Sequence, residues 1–230
     1  MLGIDLDAEV RRVDPDRWLA SRFIADPGAR ADVLALYAFD YELARVGHVT
    51  TSGLAAEIRL AWWREALEPI RSGAEPPAHP VAQALARVVS ARALPLAPFE
   101  TMISARIDNL GEERLEWAQA TAWAEGAQGA LARLAVRVLC PAADEALATP
   151  AGVVWGLVLL RRSGRASGDQ FDHGLRARLA EARAAARRLP TAAFPSALPA
   201  TLARADLRSK TPGELEKRAR LALAALTGRL

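Results

Sequence analysis

What this sequence has little of narrows it first. It holds one cysteine, Cys140. No disulfide can form within the chain, and a lone thiol with no histidine near it in sequence reads as a small apolar residue in a reducing compartment. Lysine is nearly absent: only Lys210 and Lys217 accompany the arginines, and the net charge is +3. Arg and Glu interleave along most of the chain, as on solvated helix faces. No basic stripe alternates with aromatics and no finger or RNA-binding motif occurs, so nucleic acid is not an expected partner. The longest apolar run, Ala151–Leu160, is too short to span a bilayer and reads as a buried core helix. The opening residues MLGIDLDAEV carry acids and no apolar segment, unlike a secretory or transit signal. A cytoplasmic protein is expected, with contact to an acidic membrane surface left open.

Strand signals are missing too: Val and Ile nowhere alternate with polar residues over a useful length. Hydrophobic residues make up 51% and charged residues 25% of the 230, enough for a sizeable core. Helical periodicity dominates. Helices are expected from Asp14-Pro15-Asp16 to about Ala25, Ala29 to Gly47, Gly53 to Arg71, Pro80 to Ala93 and Pro98 to Leu110. Further on they run from Glu112 to Leu139 as one long helix, from Thr149-Pro150 to Arg162, from Asp169 to Leu189 and from Pro212 to Leu226. Proline in a first turn and glycine past an end mark several boundaries. No repeat or long linker divides residues 1–230, so one all-α domain is expected.

Several residues invite a chemical reading and have a plainer one. His48 follows Gly47 at a helix end and reads as a surface or capping residue, and His79 before Pro80 as structural. Asp169, Asp172 and His173 fit a solvated helix start better than a metal cluster. Asp108, Glu112 and Glu113 read as a surface acid cluster. Trp62 and Trp63 cannot both face one core, so one should be buried and the other lie at a groove. Trp117, Trp123 and Trp155 read as core.

The most informative stretch is Tyr37 to Leu67, YAFDYELARVGHVTTSGLAAEIRLAWWREAL. With Asp16-Arg17-Trp18-Leu19-Ala20 before it, and His79-Pro80-Val81, Phe99 to Asp108 and Trp123-Ala124-Glu125 after it, it resembles the squalene/phytoene synthase family, whose members join two prenyl diphosphates head to head. The resemblance implies the isoprenoid-synthase helical bundle, here shortened, around an apolar central cavity. It also implies magnesium, held by aspartates four residues apart on a helix face. The metal ions neutralise the leaving diphosphate.

Laid on this chain without gaps, the first motif's aspartates fall on Ala44, Arg45 and His48, none a carboxylate. Asp40 and Glu42 are out of register. The second motif's positions fall on Gly156, Leu159, Arg162, Ser163 and Ser167, where only the arginine survives, and the family's later Arg-x-Tyr-Leu-Pro-like segment is missing. Arg45 and Arg162 are candidates for residual diphosphate contacts, Arg45 by filling the old metal site with its own charge. No metal or cofactor is expected, magnesium entering only if the chain is an active prenyltransferase with other ligands. Glu42-Leu43-Ala44-Arg45-Val46, the run from Glu57 to Arg64, and Ala193-Phe194-Pro195 resemble the branch that contains the mitochondrial complex I assembly factor related to phytoene synthases. That resemblance implies a non-catalytic assembly factor or lipid-binding scaffold. Its partner would be another protein, with an isoprenoid or other lipid in the cavity, peripheral to the inner membrane. A third reading, from the Arg-rich stretch Arg176 to Arg188, is a plain helical adaptor with a filled core.

Overall fold

The computed structural model describes residues 5–49, 53–208 and 212–230, and no strand occurs among them. The helices are α1 (Leu6–Val13), α2 (Pro15–Ser21), α3 (Pro27–Val49), α4 (Gly53–Ser72), α5 (Pro80–Arg92) and α6 (Ala97–Ile107). They continue as α7 (Trp117–Ala124), α8 (Ala130–Leu139), α9 (Thr149–Arg162), α10 (Asp169–Ala186), α11 (Ala203–Asp206) and α12 (Glu214–Thr227). Short 3₁₀ turns lie before α9 and between α10 and α11.

Two hydrophobic clusters organise the chain. One gathers on α3, with α4, α5, α6 and α8 around it. Phe39 sits at its centre, edge-on to Trp63 at 5.2 Å and Phe99 at 5.6 Å, geometries that favour the aromatic quadrupole. The other gathers on α9, whose residues Ala151–Val158 are all buried against α7, α8 and α10. The apolar run too short for a membrane is thus the axis of a core. Trp63 is buried and Trp62 is 37% exposed, the division that adjacent helical positions require.

Two departures from the sequence reading matter. First, Leu6–Val13 forms a helix. Asp5 caps it, and Asp7 fastens it by accepting from the Trp18 indole (2.8 Å) and Arg22 (2.6 Å). Second, Glu112–Leu139 is not one helix: residues before Trp117 are irregular, and a π-helical turn at Glu125–Gly129 separates α7 from α8. The turn packs directly on α9. A Cβ on Gly152 would lie 2.4 Å from the Gln128 carbonyl, and one on Gly156 would lie 2.8 Å from the Ala124 Cβ. Glycine at both positions lets the backbones approach. A π turn shifts the helical register by one residue and is often found where a side chain must be re-aimed. Here that side chain is Gln128.

Candidate functional site

Between the two clusters lies a cavity of about 810 Å³. Its apolar wall includes Leu43, Ala44 and Leu60 from the α3 side and Trp123, Trp155 and Leu159 from the α9 side. A filled bundle, which the adaptor reading requires, is therefore not what the helices make. The polar part has two centres, one deep and one at the rim.

The deep centre is Asp40, on α3 and only 1% exposed. One carboxylate oxygen accepts from Arg17 Nη2 (2.8 Å) and the other from Arg106 Nη2 (2.6 Å). Gln128 Nε2 donates to both, at 3.0 and 2.9 Å. The Gln128 amide oxygen accepts from Arg17 Nη1 at 3.0 Å, which closes the ring of contacts. Arg17 also pairs with Asp14, whose other oxygen caps α2 by accepting the Arg17 backbone N–H at 3.0 Å. So Asp14-Pro15-Asp16-Arg17 is at once a helix start and half of a charge cage. Burial alone would raise the Asp40 carboxyl above its usual range. Arg106, Arg17 and the Gln128 hydrogen bond outweigh it and hold the carboxyl below that range. Burial works against the Arg17 guanidinium as well, and Asp14 and Asp40 reverse it, so Arg17 is bound still more firmly to its proton. Tyr37, under the Arg17 guanidinium at 4.9 Å, is pushed up to about 12, chiefly by burial.

The rim centre is Asp16. It accepts from Arg162 Nη1 at 2.7 Å and from Lys217 Nζ at 2.8 Å. Arg162 is bidentate to Asp206, at 2.7 and 3.0 Å, and lies 5.0 Å over the Trp155 ring. Partial burial opposes its charge, and Asp206 and Asp16 more than restore it. This strap ties α9, α11 and α12 to the start of α2. Nearby, Arg165 donates to the backbone carbonyls of Asn109 (3.2 Å) and Glu112 (2.9 Å), holding the turn after α6 against the cavity.

The residues expected from the two motifs divide sharply. Ala44, Leu159, Arg162 and Ser163 line the cavity. Arg45 does not: it is 47% exposed and pairs with Glu42 at 3.1 Å. Asp40, Ala44 and Gly47 repeat on one helix face and line the cavity, while Arg45 stands a further 100° round the helix. Arg45 stands outside the cavity lining with its guanidinium on Glu42, which speaks against its charge filling an old metal site. The side chain of His48 lies outside the described residues. Gly156 is buried helix contact rather than lining. Ser167 is exposed and accepts from Arg114 at 2.6 Å. His173 and Asp108 are exposed and away from the cavity, and Asp172 pairs with Arg161. Glu112 and Glu113 reach the cavity edge as exposed acids.

The residues that define the deep centre were passed over in sequence. Asp40 sits one turn before Ala44 on the same face, a signal that a face-by-face reading would have found. Gln128 and Arg106 gave none, since they meet Asp40 from 88 and 66 residues away.

Magnesium needs several carboxylate, carbonyl or water oxygens in an octahedron. Asp40, Asp14 and Asp16 each already accept from a guanidinium or ammonium group. Among the described residues no group of three or more His, Cys, Asp or Glu side chains gathers to hold a metal ion. The residues present do not fit the family's metal pair.

This helical bundle, with a cavity between α3 and α9, has the isoprenoid synthase-like architecture. The squalene/phytoene synthase family model matches residues 10–166, and the chain belongs to that family. Eleven solved chains match. Among them is the squalene synthase HpnC from Alicyclobacillus acidocaldarius, with a TM-score of 0.66 and 16% identity over 97% of this chain and 93% of that one. At that identity the likeness speaks for the fold. No curated protein matches.

Proposed function

We propose that this chain is a non-catalytic member of the squalene/phytoene synthase family, a scaffold that keeps the family's cavity after giving up its metal chemistry. One observation carries the reading: the carboxylates of the deep and rim centres are each met by a cation of the chain itself, Asp40 by Arg17 and Arg106, Asp14 by Arg17, and Asp16 by Arg162 and Lys217. Ionising an allylic diphosphate demands concentrated positive charge on the leaving group. Here the cations of the two centres are paired with the chain's own carboxylates, and the motif's aspartate positions 44, 45, 48, 163 and 167 carry no carboxylate. The direct test is incubation with farnesyl and geranylgeranyl diphosphate and magnesium or manganese, with mass spectrometry of the organic extract. No C30 or C40 product is expected from folded protein. Such a product would overturn the reading in favour of a head-to-head prenyltransferase with ligands other than those of the family pattern.

The finer reading is an assembly role like that of the complex I assembly factor, exerted on a protein partner at the cytoplasmic face of the inner membrane. The resemblance at Glu42–Val46 and Glu57–Arg64 supports it. So does the surface. The large apolar side chains left exposed among the described residues are Leu54, Ile58 and Trp62 on α4 and Leu215, Leu223 and Leu226 on α12. Each set follows one face of its helix, the pattern of a helix that offers a contact. No described helix is long and apolar enough to cross a membrane, so any membrane contact would be peripheral. Deletion of the gene should lower assembled complex I. Unchanged complex I in the deletion strain would remove this role and leave the non-catalytic reading standing.

A further inference from the structure

The two exposed apolar faces, on α4 and on α12, differ in the charge around them. On α4 both signs stand close to Leu54, Ile58 and Trp62: Glu57, Glu65 and Glu68 beside Arg59 and Arg64. On α12, Leu215, Ala219, Ala222 and Leu226 follow one face, with Leu223 to one side and Arg218 to the other. Leu215 is 82% and Leu226 86% exposed, while Leu221 and Ala224 on the other side of the helix are buried.

Positive charge gathers at this end of the chain. Residues 181–230 hold ten Arg and Lys against four Asp and Glu, whereas the whole chain holds 30 against 27. The other 180 residues therefore carry an acid excess of three. All four acids of the last stretch are taken: Glu181 pairs with Arg178, Asp206 with Arg162, Glu214 with Lys217 and Glu216 with Arg220. No carboxylate among the described residues pairs with Arg187, Arg188, Arg204, Arg208, Arg218 or Arg229, and all six are exposed.

Part of this charge is drawn round the C-terminal end of α12. Arg183 Nε donates to the Leu230 carbonyl at 3.0 Å, which sets the last turn of α10 beside Arg229. Burial, then the nearness of Arg204 and Arg187, holds the Arg183 guanidinium below its ordinary value. Guanidiniums from α10 and α11 thus crowd one another, and an external anion relieves such crowding. Charge complementarity chooses the occupant. A bilayer of anionic phospholipid offers many phosphates above an apolar interior, so it meets the arginines and the leucines together.

We propose that the outer face of α12, with the arginines around its end, docks on an anionic phospholipid surface, the helix lying in the plane of the interface. The proposal names the surface and the lipid that the assembly reading leaves open, and it stands whether or not the cavity is catalytic.

The test is sedimentation of the purified full chain with vesicles, either phosphatidylcholine alone or a two-to-one mixture with phosphatidylglycerol. Binding to the mixed vesicles only is expected, weakened about tenfold or more by high salt. Leu226→Glu should weaken it about tenfold, and Arg229→Ala about fivefold. Both positions are exposed, so neither change disturbs packing. Leu54→Glu, on α4, should bind as the parent does. Absence of binding to the mixed vesicles overturns the proposal, as does equal binding to the neutral ones. Vesicle binding that survives Leu226→Glu, while that variant fails to restore complex I in a deletion strain, would give the face to a protein partner. Sedimentation velocity without lipid should show a monomer, and a dimer that Leu226→Glu dissolves would give the face to a second copy. Either result overturns the proposal. Unchanged complex I in a deletion strain removes the assembly role and leaves vesicle binding as expected, so the two readings fail separately.

Discussion

The cage around Asp40 and the strap through Asp16 use the same chemistry at different depths. In the cage, Arg17 and Asp40 side chains are 6% and 2% exposed, and an amide from the π-helical turn fills the remaining hydrogen-bond positions. In the strap, Asp16 is nearly as buried at 7%, but Arg162 is 33% exposed and Lys217 is 12% exposed. A buried charge that loses its partner is left in a medium that cannot solvate it, whereas a rim charge can turn to water. The cage should therefore govern folding and the strap should govern how α11 and α12 sit on the cavity.

Arg17→Met would break that comparison most severely. It strands Asp14 and leaves Asp40 to Arg106 and Gln128 alone, and a urea titration should report a loss of about 3 kcal/mol. A loss as small as a surface pair's would mean the cage is open to solvent. Gly152→Ala acts on the cage from behind, through the Gln128 carbonyl that the new methyl group would strike. It should destabilise by about 1–3 kcal/mol. Lys217→Met leaves Arg162 on Asp16, so about 1 kcal/mol is expected, read best as faster hydrogen exchange in α12 than in α3. Arg45→Ala, on the outer side of α3, should cost less than about 0.5 kcal/mol.

The pH dependence follows the same division. Asp40 is held below its ordinary value of 3.8. Its contribution is fully present above that value and is lost as pH falls through the folded-state value. Asp40→Asn should lower stability at neutral pH and flatten the acid limb of a stability–pH curve. Tyr37 moves oppositely. Its rise from 10.0 to about 12 makes its contribution complete below 10 and progressively lost from there to about 12. Tyr37→Phe should remove that alkaline loss, and an unchanged alkaline limb would place the ring in contact with water.

Much of the scaffold was legible in sequence because its causes are local. Proline in first turns marks α5 and α9, ten consecutive apolar residues mark the α9 axis, and adjacent tryptophans have to split between core and surface. The π-helical turn was not legible, because Glu125–Gly129 departs from α-helical pairing only where α9 presses Gly152 and Gly156 against it. The site was half legible. The loss of motif carboxylates could be read from positions 44, 45, 48, 163 and 167. What replaced them could not, since Asp16 meets Arg162 across 146 residues and Asp40 meets Gln128 across 88. Arg45 misled because it matched a motif position by count, while the helix turned it away from the cavity.

The central claim is that the chain's own cations hold the carboxylates that a metal would need. Electron paramagnetic resonance of manganese mixed with excess protein tests it most directly, because the free aqueous ion gives a strong signal that binding broadens away. Undiminished free-ion signal is the predicted result. A stoichiometric loss of that signal, abolished by Asp40→Asn, would show Asp40 bound to metal in preference to Arg17 and Arg106, and would contradict the account.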